Sequence, residues 1–69
     1  MAKKINNPDY RYWVVSDGKI RSGWEYEEDA EDYREDMRDV LLGRVVIVGR
    51  RGLENRGLDP DNNDHWGQG

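Results

Sequence analysis

The dipeptide Asp17-Gly18 stands between YRYWVV and KIRSGW, residues 10–15 and 19–24. A two-residue hairpin turn of type I′ needs positive φ at both central positions, and Asp-Gly tolerates that better than nearly any other pair. The flanking segments are rich in β-branched and aromatic residues. A hairpin is therefore expected, with Ser16 opposite Lys19, Val15 opposite Ile20, Trp13 opposite Ser22 and Arg11 opposite Trp24. Side chains alternate along a strand. One face then holds Trp13, Val15, Ile20 and Trp24, the expected core. The other holds Tyr10, Tyr12, Val14, Lys19, Arg21 and Gly23.

A helix is expected next. Tyr26, Ala30, Tyr33, Met37, Val40 and Leu41 fall on one side at 100° per residue. Acidic residues crowd its first turn, where they complement the helix dipole. No Ser, Thr, Asn or Asp precedes Glu27 to cap it. Gly43 is a natural stop. RVVIV, residues 44–48, reads as a third strand. A right-handed crossover through the helix lays that strand beside the first. The expected fold class is α+β: a ββαβ chain with a three-stranded antiparallel sheet of order 2-1-3, one amphipathic helix on one face, and an irregular C-terminal segment. RRGLENRGL is expected to form a short helical turn. The tail residues Leu53, Leu58 and Trp66 either fold back over the second face or leave Tyr10, Tyr12 and Val14 as an exposed apolar patch.

With 69 residues, the chain makes a single domain. Apolar residues are 35% and charged residues 38%, a balance that leans toward disorder, but three Trp and four Tyr argue for a small folded core. That core is expected over about 9–58, with loose termini. Phe and Cys are absent. Disulfides and thiolate metal sites are thereby excluded, and a reducing, cytoplasmic setting is favoured. MAKKINNPDY has no apolar run after its lysines, unlike a signal peptide. No stretch is long and apolar enough for a membrane helix.

The sequence offers little for catalysis. His65 has no partner at a telling spacing, and Ser16 and Ser22 both belong to the hairpin. Paired carboxylates on a solvated helix lack the cleft that would push their pKa values apart. DPDNND places Asp59, Asp61 and Asn63 at the first, third and fifth positions of a calcium loop, but Asp64 stands where Gly is required. An Asp-Pro turn is the expected structure. No enzyme activity, metal or cofactor is expected.

Charge is the strongest functional signal. Residues 25–39 hold nine of the fifteen carboxylates against two arginines, a net of −7, while residues 1–24 and 40–58 each carry +3 and residues 59–69 carry −3. On a helical wheel Glu28, Asp32, Glu35 and Asp39 form an outer stripe with no basic residue among them. Arg34 and Arg38 lie on a flank, beside Glu27 and Glu31. Such a stripe either solubilises the domain or meets a positive surface.

GKIRSGWEYEEDAEDYRED and RRGLENRGLDPDNNDHW together resemble a group of small proteins of bacteria and their phages, over about residues 10 to 66. The shared elements are the Gly-Lys turn, Ser-Gly-Trp-Glu-Tyr leading into an Asp-Ala helix, and Gly-Leu-Asp-Pro-Asp followed by Trp. In size and charge layout the chain is also similar to acidic inhibitors encoded by phages, anti-CRISPR proteins among them. Neither resemblance carries a functional residue. The expected function is non-catalytic binding: an inhibitor of phage or prophage type, monomeric or homodimeric, whose acidic helix imitates nucleic acid and fills a basic groove on a host protein. Its expected contact residues are Glu28, Asp32, Glu35, Asp39, Tyr10 and Tyr12. One alternative is a nucleic-acid-binding accessory using Arg44, Arg50, Arg51 and Arg56, with Tyr10, Tyr12 and Trp66 as stacking platforms. Another is a structural module dimerising through the Tyr face.

Overall fold

A computed structural model describes residues 5–40 and 43–67. Strand β1 spans Tyr12–Ser16 and strand β2 Lys19–Trp24; helix α1 spans Glu27–Met37, strand β3 Val45–Val48 and helix α2 Arg50–Asn55. A single 3-10 turn follows at Asn63–His65. The sheet is antiparallel throughout, in the order β2-β1-β3. The expected α+β architecture is therefore the observed one. The hairpin turn is as expected: φ is 54° at Asp17 and 72° at Gly18.

The hairpin register differs from the expectation at one point. Ser16 pairs with Lys19 and Val15 with Ile20, but Val14 pairs with Ser22 and Tyr12 with Trp24. Arg21 is thus an extra residue in β2. A bulge of one residue reverses the facing of everything beyond it. Trp24 therefore shares a face with Tyr12 and Val14, not with Trp13. There its ring meets Tyr33 of α1 at a centroid distance of 5.7 Å. Its indole Nε1 donates to Ser22 Oγ at 2.7 Å.

α1 covers this Tyr12–Val14–Trp24 face and touches all three strands. It does so through few residues: Ala30 is fully buried, and Tyr33 and Met37 are half-buried. The small Ala30 side chain lets the helix lie close to the sheet. Tyr26 is the N-cap residue and makes no side-chain cap bond, as expected. The helix stops sooner than Gly43, with Arg38 as C-cap. Val40 consequently lies in the following turn and is 68% exposed; Tyr26 is 63% exposed. Neither joins the inner side expected of them, and Leu41 lies outside the described residues.

The opposite face carries the main core. Trp13, Val15 and Ile20 are buried there with Leu53 of α2 and Trp66 of the tail. The tail thus folds back, but the two covers are exchanged relative to the expectation: α1 lies on the Tyr12–Val14 face and the tail on the face that carries Trp13. Gly52 permits the approach of α2: a Cβ there would stand 2.7 Å from Val48 Cβ. α2 ends in a Schellman closure. Gly57 has φ of 70°. Its N–H donates to Glu54 O at 3.0 Å, and that of Leu58 to Leu53 O at 2.9 Å.

The packed region reaches beyond 9–58 at both ends. Trp66 is 8% exposed. Its Nε1 donates to Pro60 O at 2.8 Å. Gly67 N donates to Ile20 O at 2.8 Å, so the tail pairs with β2 at one parallel bridge and covers that edge there. Residues 5 and 6 strap the tail down. Ile5 N donates to Asn63 Oδ1 at 3.1 Å and Asn6 Nδ2 to Asp61 Oδ1 at 3.0 Å. Asn6 Oδ1 accepts from Trp13 Nε1 at 3.2 Å.

Truncating a buried Trp costs about 3–5 kcal/mol, comparable with the whole stability of a domain this small. Trp66→Ala is expected to unfold the protein at 37 °C as thoroughly as Trp13→Ala, read by the loss of a cooperative melt in circular dichroism. A near-native melt for Trp66→Ala would show that the tail is not part of the core. Gly→Ala inside a helix ordinarily stabilises by about 0.5–1 kcal/mol. At Gly52 the sign is expected to reverse, because the new methyl group meets the stiff, β-branched Val48. A raised melting temperature for Gly52→Ala would refute that close approach.

Candidate functional site

Seven of the eleven residues of α1 are carboxylates and one is an arginine. All seven are exposed. Glu28, Asp32 and Glu35 follow one another along the outer side at spacings of four and three. Asp39 does not continue the row as helix, because α1 ends at Met37. Nor is the stripe wholly unpaired: Arg38 Nη1 lies 3.5 Å from Glu35 Oε1, the one ion pair among the described residues. Both side chains are largely in water, so the pair contributes a fraction of a kcal/mol. It lowers the negative charge at the C-terminal end of the helix and leaves Glu27, Glu28, Asp29, Glu31, Asp32 and Asp36 without ion pairs among the described residues.

Tyr26 stands just before α1 and Val40 shortly after it, and both are exposed; Tyr26 borders a hollow shared with Tyr10, Gly23, Trp24 and Trp66. The 100° periodicity includes both and so predicts them on the buried side. The signal against that placement was weak. Tyr26 precedes the first helical N–H groups, in an extended conformation at φ −116° and ψ 141°.

The expected Tyr surface does not form. Tyr12 is half-buried on the α1 face. Tyr10 is half-buried on the other, where its ring fills the space beside Gly23 and packs against the Trp13 core. Tyr10 and Tyr12 thus lie on opposite faces, and neither face is bare.

The four arginines do not share one site: Arg44 and Arg56 border one groove, and Arg50 and Arg51 do not. Arg44, Arg50, Arg51 and Arg56 are all exposed. Arg50 sets its guanidinium carbon 5.9 Å from the centre of the Trp13 ring, a cation–π contact. Arg56 Nη1 donates to Gly52 O at 3.3 Å. Trp66 is buried and cannot serve these arginines as a stacking platform.

The DPDNND segment divides its polar groups between its own turn and residues 5 and 6, which Asn63 and Asp61 hold. Asp59 Oδ1 accepts from Asp61 N at 2.9 Å, and Asn62 Oδ1 accepts from Asp64 N at 3.0 Å. His65 Nδ1 accepts from Asp59 N at 2.8 Å. The imidazole thus closes the turn beneath Trp66. Among the described residues no group of three or more His, Cys, Asp or Glu side chains converges as a metal site would. No helix among them is long and apolar enough to cross a membrane.

The acidic side of α1 is the candidate site, and it rests on this geometry alone: no protein-family model, curated protein or solved structure matches the chain.

Proposed function

We propose that the protein acts by binding rather than catalysis, and that the outer side of α1 engages a positively charged surface of another protein. The observation that carries this reading is the row of exposed carboxylates on α1, of which only Glu35 has an ion pair among the described residues, with exposed Tyr26 and Val40 just before and after the helix. The carboxylates supply long-range attraction and orientation. Tyr26 and Val40 supply apolar area that a partner would remove from water. The fold does not need the outer charges, since α1 is held by Ala30, Tyr33 and Met37. Glu28, Asp32 and Glu35 span about 10 Å at 1.5 Å per residue. A regular anionic row of that kind suits a groove built for a nucleic-acid backbone. In its sharper form the protein is an inhibitor of phage or prophage type that occupies such a groove on a host protein.

The test is the variant Glu28→Gln, Asp32→Asn, Glu35→Gln, Asp39→Asn. Relief of like-charge repulsion within α1 and loss of dipole stabilisation by Glu28 are each worth a few tenths of a kcal/mol and oppose one another. The melting temperature is therefore expected to stay within a few degrees of wild type. Affinity capture from host lysate is expected to retain a partner on wild type at about 0.1 M salt and release it near 1 M, where screening shortens from about 10 Å to about 3 Å. The folded variant is expected not to retain it. A partner held equally by both forms at both salt levels would exclude the stripe as the interface.

A further inference from the structure

A groove of about 520 Å³ lies at the turn end of the sheet, on the face away from α1. Val15 and Val46, a cross-strand pair, line it together with Leu58 from the segment after α2. Val46 and Leu58 are only half-buried, so apolar surface remains open there. Arg44 and Arg56 also line the groove. Arg44 makes no hydrogen bond or ion pair among the described residues, and Arg56 uses one of its N–H groups on Gly52 O. Each guanidinium carries five donors and no acceptor. The one carboxylate in the lining is Asp17, on the hairpin turn.

We propose that this groove binds a small carboxylic acid, its aliphatic or aryl body on Val15, Val46 and Leu58 and its carboxylate held by Arg44 and Arg56. The volume falls within the range of about 300–1,000 Å³ usual for small-molecule sites. Apolar floors with a few placed polar groups are their common form. Guanidinium forks match a carboxylate in shape and charge. Asp17 disfavours a second negative group, so a monoanion fits better than a dianion. A nucleotide fits poorly, because no aromatic side chain lines the groove to stack on a base. The site shares no residue with α1 and stands or falls apart from the binding role proposed for that helix.

The probes are octanoate and 4-phenylbutyrate, each set against its neutral alcohol, in two-dimensional amide NMR. Saturable shifts are expected at Val15, Gly18, Val46 and Leu58 with the acids at millimolar concentration, and weaker ones with the alcohols. Arg44→Gln with Arg56→Gln is expected to weaken acid binding at least about tenfold, the usual consequence of losing hydrogen bonds to a charged group. It should leave alcohol binding unchanged. Both replaced residues are exposed, and an unchanged spectrum elsewhere confirms that the variant is folded. Equal binding of acid and alcohol, undiminished acid binding in the variant, shifts centred away from the groove, or no saturable shift would each overturn the proposal.

Discussion

Four consecutive residues of β1, Trp13 through Ser16, are buried. Successive side chains on a strand point to opposite faces. A strand buried at every one of these positions must therefore be covered on both sides, and the rest of the molecule is arranged around that requirement. β2 and β3 flank β1 and satisfy its backbone groups. α1 supplies one cover. α2, Leu58 and Trp66 supply the other, pinned by residues 5 and 6. A chain of 69 residues has little apolar area to distribute over two layers. Small glycine and alanine positions compensate by bringing backbones close, with Ala30 under α1 and Gly52 under α2.

The charge layout follows from the same arrangement. α1 contributes few groups to its layer, so most of its circumference is free to be acidic. Acid accumulates on that side of the sheet. The arginines before β3 and along α2 sit at the turn end and on the opposite cover. They do not neutralise the helix, for the single ion pair among the described residues lies within α1 and its C-cap. The outcome is two chemically distinct surfaces: an acidic helix, and an apolar groove with basic side chains. The polar tail segment belongs to neither. Asp59, Asn62 and His65 close its turns, and Asp61 and Asn63 hold residues 5 and 6, an arrangement that sets Trp66 against Ile20.

Much of this was legible in local chemistry. Asp17-Gly18 forces a tight turn whatever surrounds it. The β-branched run at 45–48 and the acidic first turn of α1 are likewise local preferences. Strand order follows from the handedness of the crossover. The acidic composition of α1 and the exposure of Glu28, Asp32 and Glu35 could also be read, because no core can accept so many carboxylates. The stripe's end was not legible: periodicity carries on through Asp39 and Val40, while the backbone stops at Met37.

What the sequence determined by itself was therefore the set of elements, their order and the sign of charge on each. Tertiary structure alone decided which side chains meet. The bulge at Arg21 moved Trp24 to the α1 face, where Tyr33 and the Ser22 hydroxyl receive it. Alternation has no memory of an inserted residue, so one misplaced position reverses every facing beyond it. The same holds for Tyr10, drawn to the face opposite Tyr12 by the space beside Gly23. It holds also for Trp66, whose polar neighbours suggest a loose end. Only long-range contacts, with Ile20 on the sheet edge and Pro60 O at its indole nitrogen, make that residue part of the core.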